Sequence, residues 1–221
     1  SYNNIDYLKL CIESITKTSK YNHQIIIHIN EGSDGTLEYV KNNKVDILIN
    51  NTQGPPAGNS LSKNIDSYQE AFDLLFKSVV HTTSLVIPGM QKNKWGRIIN
   101  VTSVSVKEPL NYLVLSNSIR SAVVAWAKSL SVDLGPDGIT VNSILTGYFD
   151  TERIKELNKE KSKSLNISEA EVLDKMKSLV PASRLGRPEE YGYLVSFLSS
   201  DNAAYINGAS IPIDGGLLKS Y

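Results

Sequence analysis

Apolar runs alternate with helix-like segments along most of this chain. The apolar runs are QIIIHIN (24–30), VDILIN (45–50), RIINVT (97–102), GITVNSIL (138–145) and ASIPI (209–213). The predicted helices lie at 4–18, 66–90, 112–134, 151–180 and 188–199. Strands that are apolar on both sides belong to parallel sheets with helices over both faces. The pattern therefore predicts an α/β fold built on a Rossmann-like, doubly wound parallel sheet.

Such sheets bind their ligands at the carboxyl ends of the strands. Three loops leave those ends here, after residues 50, 103 and 145, and each carries side chains or glycines suited to a ligand site. The types are amides, hydroxyls and glycines, and a glycine lets the backbone approach a ligand closely. The candidate residues are Asn50, Asn51, Gly54, Ser103, Gly147 and Thr151.

Further candidates lie at the start of the predicted helix 112–134. Tyr112, Ser116 and Arg120 recur every four residues, a spacing that places them on one helix face. A hydroxyl with a cation one turn later often marks an active site. However, Ser116 has no obvious base in the sequence, and an arginine, with an ordinary pKa above about 12, does not relay protons.

The composition excludes several classes of protein. Lys plus Arg and Asp plus Glu number 23 each, so we expect neither a nucleic-acid partner nor a charged membrane-surface partner. The chain has one cysteine, Cys11, and its three histidines are not spaced as ligands, so we expect no metal site. No apolar run reaches the roughly 18 residues of a membrane span, and the first residues do not resemble a signal peptide. We therefore expect a cytoplasmic protein.

From about residue 44 to residue 221, the chain resembles the short-chain dehydrogenase/reductase family. The resemblance rests on five motifs in the family's order. These are VDILINNTQG, GRIINVTS, AVVAWAKSLSVDLGPDGITVNSI, TGYFDT and the segment from RLGRPEE to IDGG. It implies hydride transfer between NAD or NADP and a small carbonyl or alcohol substrate. It also implies a homo-oligomer, a dimer or tetramer, that pairs through the helices at 66–90 and 112–134.

The resemblance assigns catalytic roles, with departures from the family pattern. Ser103 takes the place of the catalytic serine, which polarises the substrate oxygen. The family's tyrosine and lysine, four residues apart, are replaced by Ser116 and Arg120, so YxxxK has become SxxxR. Arg120 would hold the nicotinamide ribose, and either Ser116 or Tyr112, the nearest phenol in the sequence, would handle the proton. Leu75 stands where the family usually has a catalytic asparagine.

The resemblance also assigns residues to the cofactor. Asn50, Asn51 and Gly54 would line its adenosine side, and Gly147 and Thr151 its nicotinamide end. The family's glycine-rich turn, which holds the pyrophosphate, has no counterpart in the sequence. The sheet is therefore expected to be truncated or rebuilt at the N-terminus.

The first forty residues resemble a different family. Residues 2–42, ending in the turn NEGSDGT, look like the opening of a family 2 glycosyltransferase. We therefore predict two parts, a glycosyltransferase-like segment at 1–43 and a dehydrogenase/reductase-like domain at 44–221.

Three functions remain open at this point. The first is an atypical oxidoreductase of reduced activity, with NAD or NADP as cofactor. The second is a non-catalytic remnant or interaction protein, favoured by the missing glycine turn and by SxxxR. The third is a fragment of a nucleotide-sugar glycosyltransferase, supported by residues 2–42 alone.

Overall fold

The computed structural model describes residues 26–27 and 44–220 of the chain. In that part, five strands form one parallel sheet in the order β1 to β5. The strands are β1 (Ile26–Ile27), β2 (Ile47–Asn50), β3 (Gly96–Ser103), β4 (Ile139–Thr146) and β5 (Ser210–Ile213). The helices are α1 (Ile65–Phe72), α2 (Ser78–Asn93), α3 (Val114–Leu134), α4 (Glu152–Leu165), α5 (Glu169–Leu179) and α6 (Pro188–Ser199). The predicted α/β parallel sheet is confirmed.

Helices cover both faces of this sheet, as its apolar strands require. On one face, Leu48, Ile98 and Val141 lie side by side on β2, β3 and β4 and pack against Val86 of α2 and Ala127 of α3. Burial of such aliphatic side chains stabilises the fold by about 1.5–3 kcal/mol each. Two helices that follow β2 and β3 in the chain therefore share this layer.

The opposite face packs against the last helix. Ile99 of β3 and Ile144 of β4 form a second cluster with Leu198 of α6 and with Ala203, just beyond it. Alternate residues of β3 thus point to different layers, which is the period of a strand buried on both sides. The sheet is therefore doubly wound.

The pairing of β3 with β4 determines which residues meet at the carboxyl edge. The two strands pair over eight residues, from Gly96 beside Ile139 to Ser103 beside Thr146. Asn50, at the end of β2, lies beside Asn100 of β3. The carboxyl ends of β3 and β4 therefore lie together, and residues that follow them in the chain can share one site.

The predicted helix 66–90 is longer than expected and contains an irregular turn. It runs from Ile65 to Asn93, with a π-helical segment, Asp73–Lys77, between α1 and α2. Leu75 lies in this segment and is completely buried. Single π turns inside α-helices are frequent at functional sites. The leucine that replaces the family's usual asparagine thus lies in an irregular turn of the helix.

Helix α3 begins later than predicted, which changes the position of Tyr112. The helix starts at Val114, and Leu113 before it has a non-helical backbone (φ −125°, ψ 38°). Tyr112 lies in the preceding turn, so the four-residue spacing places only Ser116 and Arg120 on one helix face. The prediction of a shared face for all three residues is therefore wrong.

Other predicted elements agree closely with the structure. Helix α6 covers the predicted 188–199, whereas the predicted helix 151–180 is divided into α4 and α5, because a capping box of Ser168 and Glu171 begins a new helix. The predicted helix 4–18, most of the strand 24–30 and all but the last residue of the boundary at 41–44 lie outside the described residues. Within residues 44–220, we find neither a helix with the length and hydropathy of a membrane span nor a metal-ligating cluster of His, Cys, Asp and Glu.

Candidate active site

A cavity of about 720 Å³ opens at the carboxyl edge of β3 and β4. Its floor includes Ser103 and Thr146, and helix α4 contributes Ile154, Leu157 and Asn158 to its wall. The volume lies within the range of about 300–1,000 Å³ that is usual for small-molecule sites. The helical segment that follows β4 thus encloses the cavity rather than standing in solvent.

Ser103 lines this cavity, and within residues 44–220 its hydroxyl proton has no acceptor. It ends β3 in extended conformation, and its Oγ accepts a hydrogen bond from the backbone N–H of Ser105, 3.1 Å away. A serine hydroxyl is both acceptor and donor. Because this bond uses only the acceptor, the O–H of Ser103 is available to a ligand oxygen in the cavity.

Two phenols also line the cavity, Tyr112 and Tyr148. Two backbone bonds hold the turn of Tyr112, since Gly58 N–H donates to its carbonyl over 2.7 Å and Val114 N–H donates to the Gly58 carbonyl over 3.2 Å. Burial raises the pKa of Tyr112 to about 12, and the neighbouring phenol of Tyr148 adds to this rise. Burial also raises the pKa of Tyr148, against the opposing effect of a hydrogen bond from Tyr112.

These phenols are therefore neutral donors over the physiological pH range. Tyr112 was predicted as a proton donor, whereas Tyr148 was missed, although it lies within the quoted motif TGYFDT. The ammonium of Lys161, on α4, lies 5.3 Å from the centre of the Tyr112 ring, a cation–π distance.

Ser116 and Arg120 lie beneath the site rather than in its wall. Their exposed fractions are 7% and 8%, and neither is among the residues that line the cavity. Nη1 of Arg120 donates to the carbonyl oxygen of Val101 over 2.8 Å, and Nη2 donates to that of Thr52 over 3.2 Å. Burial lowers the pKa of Arg120 to about 10, so its side chain still carries a positive charge at neutral pH.

A third tyrosine lies close to this buried cation. Tyr191, on α6, has its hydroxyl 3.2 Å from Oγ1 of Thr146, and its ring packs edge-on against Phe149. Burial raises the pKa of Tyr191 to about 12, although the charge of Arg120 opposes the rise. Nothing in the spacing of the sequence indicates this residue, because it reaches the site only through the packing of α6 on the sheet.

The three candidates at the end of β2 and in the loop after it, Asn50, Asn51 and Gly54, lie in different surroundings from one another. The side-chain amide of Asn50 is buried and donates to Oγ1 of Thr83 (3.1 Å) and to Oδ1 of Asn100 (2.9 Å). Asn51 is exposed. A Cβ added at Gly54 would lie 3.5 Å from the guanidinium of Arg153, so this arginine covers the loop.

Gly147 and Thr151 lie in the loop that follows β4, and both line the cavity. The N–H of Gly147 donates to the carbonyl of Ile213 over 3.0 Å, and a Cβ at this position would lie 2.6 Å from Cα of Asp214. Only glycine allows this close approach of the two chain segments. Thr151 directly precedes α4 and so lies where the site meets its covering helix.

This chain resembles known proteins in both sequence and fold. The family model described as enoyl-(acyl carrier protein) reductase matches residues 34–218. The chain belongs to the short-chain dehydrogenase/reductase family. Proteins similar to this dehydrogenase/reductase chain are named reductases and dehydrogenases, which makes it a member of an oxidoreductase family.

Two curated relatives illustrate the extent of the similarity. The NADPH-dependent reductase BacG of Bacillus subtilis is 30% identical over 177 residues, which cover 80% of this dehydrogenase/reductase chain and 68% of that protein. The 3-oxoacyl-[acyl-carrier-protein] reductase FabG of Haemophilus influenzae is 35% identical over 199 residues, covering 86% of this chain and 75% of that one.

Solved structures of the family share the fold. YwfH, an NADPH-dependent reductase involved in bacilysin biosynthesis, superposes with a TM-score of 0.85 at 26% identity, covering 100% of this chain and 87% of its own. L-sorbose reductase of Gluconobacter frateurii, solved with NADPH and L-sorbose, gives a TM-score of 0.79 at 27% identity, covering 85% of this chain and 73% of its own.

Proposed function

We propose that this chain is an NAD(P)(H)-dependent oxidoreductase that acts on a small carbonyl or alcohol substrate and uses a phenol outside helix α3 to handle the proton. One observation carries this proposal. The hydroxyl of Ser103 and the phenols of Tyr112 and Tyr148 line the same cavity, at the carboxyl edge of a parallel sheet. A polarising donor and a proton donor are thus available to one substrate oxygen.

The described residues fit the nicotinamide end of the cofactor. The hydroxyls of Thr146 and Thr151 can bind an amide and a ribose, and the apolar walls can contact a flat ring. Asn51 and the backbone around Gly54 would line the adenosine side, with Asn50 holding the end of β2 in place. We assign no described residue to the pyrophosphate. Relatives whose names or titles print NADPH favour NADP(H) over NAD(H).

When bound, the nicotinamide supplies or accepts the hydride. The Ser103 hydroxyl donates to the substrate carbonyl oxygen and stabilises the charge that develops there. Tyr112 then delivers its proton to that oxygen, for which its O–H turns from Tyr148 to the substrate. A phenol of pKa about 12 is a stronger acid than water, at roughly 15.7, and therefore protonates an alkoxide.

Arg120 supplies fixed positive charge below the reacting centre. A guanidinium has five N–H donors, and two of the hydrogen bonds of Arg120 go to backbone carbonyls. We propose that the remaining donors hold the nicotinamide ribose, which requires them to become accessible when the cofactor binds, because Arg120 too is buried and lies outside the cavity wall. Ser116 is the weaker candidate for the proton, because it is buried and does not line the cavity.

The chain would work as a homo-oligomer in the cytoplasm. Rings of Phe72 and Phe76 stack 5.1 Å apart, and Phe76 meets Trp126 of α3 edge-on at 6.2 Å. Val132, also on α3, is 68% exposed. A second copy could cover these helices in a dimer or tetramer. We also keep the division of the chain at 1–43 and 44–221 as a proposal.

A second candidate function is that of a non-catalytic interaction protein. It is favoured by one observation, that the buried guanidinium of Arg120 already binds two backbone carbonyls and so serves the fold without any cofactor. In that case the cavity would bind no dinucleotide, although the sheet and helices would be unchanged.

Thermal unfolding with added NADPH or NADH separates the two candidates. A ligand that binds only the native state stabilises it by about 2.7 kcal/mol at a hundredfold excess over its Kd. We expect a clear rise in Tm with NADPH, followed by oxidation of NADPH at 340 nm in the presence of a panel of ketones and aldehydes. An unchanged Tm with both nucleotides, in a protein that unfolds cooperatively, would support the non-catalytic role.

A further inference from the structure

Helix α4 carries a buried amide with an unused acceptor. Asn158 is 6% exposed, and its Oδ1 has no hydrogen-bond partner among the described residues. The residue borders both the 720 Å³ cavity and a second cavity of about 420 Å³ between α4 and α5. Asn158 thus lies in the partition between two cavities.

A buried amide with an unpaired acceptor lowers the stability of the ligand-free protein. Ile154 and Leu157, on the same stretch of α4, also line the main cavity. Phe149 and Met176 add further apolar surface to the wall of that cavity. Buried polar atoms in native proteins nearly always have a partner, and one that lacks a partner calls for an explanation. An apolar side chain would suit the free protein better, so we look for the partner in a ligand.

Other polar groups around the cavity have different surroundings. Lys161 and Glu160 are exposed to solvent. Arg153 donates to the carbonyl of Pro55 over 3.2 Å and pairs with Glu156 at 3.5 Å. Asn158 therefore differs from these in being buried at the cavity wall with its acceptor unpaired.

We propose that Asn158 is a specificity-determining residue, which accepts a hydrogen bond from a hydroxyl or N–H group of the substrate. The substrate class is then a carbonyl compound that is largely apolar and bears one hydrogen-bond donor away from the carbonyl carbon. This inference rests on the proposed oxidoreductase function. Ser103 and Tyr112 would bind the reacting oxygen, and Asn158 would select the far end of the molecule.

The test uses phenyl-substituted ketones, each paired with its hydroxylated form. For the wild-type chain with NADPH, we expect kcat/KM to favour a hydroxylated ketone by about 10- to 100-fold, because the analogue without a hydroxyl leaves the buried acceptor of Asn158 unpaired. Asn158→Leu should remove this preference, whereas Asn158→Asp, which keeps an acceptor, should retain most of it. Lys159→Ala, on the same helix but exposed and outside the walls of both cavities, is the control and should change neither rate.

Two further readouts separate a substrate role from a structural one. Without ligand, Asn158→Leu should raise Tm, since it removes a buried acceptor that has no partner; a lower Tm together with an unchanged preference would show a structural role and overturn the inference. If the chain shows no turnover, the Kd of each ketone in a pair can be measured by calorimetry instead. A preference in Kd that is lost in Asn158→Leu would then sustain the inference while the oxidoreductase proposal fails. Equal binding and equal turnover of every pair would overturn it.

Discussion

Nη1 of Arg120, on α3, donates a hydrogen bond to the carbonyl oxygen of Val101, on β3, over 2.8 Å. Nη2 of the same guanidinium donates to Thr52, just beyond β2, over 3.2 Å. One side chain thus joins a helix to the chain segments at the carboxyl ends of two adjacent strands. A lysine has a single nitrogen, so it could not donate to both carbonyls in this fixed fork geometry.

The first prediction concerns this cation. Arg120→Met removes both hydrogen bonds and should lower the free energy of unfolding by about 1–3 kcal/mol, as measured by urea denaturation. Arg120→Lys should lie between the wild type and the methionine variant. Greater stability of Arg120→Met would contradict this prediction, because it would mean that the desolvation of the charge outweighs its hydrogen bonds.

The second prediction concerns the direction of the pH dependence. In the proposed mechanism, reduction needs Tyr112 protonated. Because its pKa is about 12, it stays protonated, so this group leaves the rate of reduction flat from pH 6 to 9.5. Alcohol oxidation needs the phenolate, so its rate should rise about tenfold per pH unit over that range. Tyr112→Phe should abolish this slope. A slope that persists in Tyr112→Phe and disappears in Ser116→Ala would move the role to Ser116.

The third prediction concerns Ser103, whose hydroxyl we propose polarises the substrate. Ser103→Ala should lower kcat/KM for a ketone by about 10²- to 10³-fold, the usual loss for one donor to a developing oxyanion. The Kd for NADPH should change little. Ser105→Ala is a suitable control, because its hydroxyl is buried, has no partner among the described residues and does not line the cavity. Equal losses in both variants would indicate a distorted loop rather than a lost donor.

The fourth prediction concerns the contact between the loops after β4 and β5. Gly147→Ala places a Cβ 2.6 Å from Cα of Asp214 and should destabilise the protein by about 1–3 kcal/mol in urea denaturation. Gly192→Ala, on α6, meets nothing within 4 Å and should stabilise by about 0.5–1 kcal/mol through helix propensity. A neutral Gly147→Ala would show that the two loops separate easily.

The strands and the starts of several helices could be predicted from sequence, because their signals are local. Continuous apolar runs identify strands that are buried on both faces, and Pro188 at the first position of α6 indicates where that helix begins. The Ser168 and Glu171 pair likewise predicts the start of α5. The carboxyl-edge rule then places Ser103 in the site without any knowledge of the side chains around it.

Features that depend on contacts distant in sequence could not be predicted. Tyr112 lies outside α3 because its carbonyl accepts a hydrogen bond from Gly58, far away in the chain. Asn158 lies on a charged helix, and only the packing of that helix over the cavity buries its amide. Periodicity shows which residues share a helix face, but it does not show what that face contacts.

The order of the described strands also bears on how the protein is made. Each strand from β2 to β5 pairs with the strand that precedes it in the chain. During synthesis, the sheet can therefore be extended at one edge as the polypeptide leaves the ribosome, and none of these strands has to be inserted between two earlier ones. At each stage the newest strand is the edge at which the growing sheet adds its next strand, and until that strand arrives this edge is open to wrong pairing with another nascent chain.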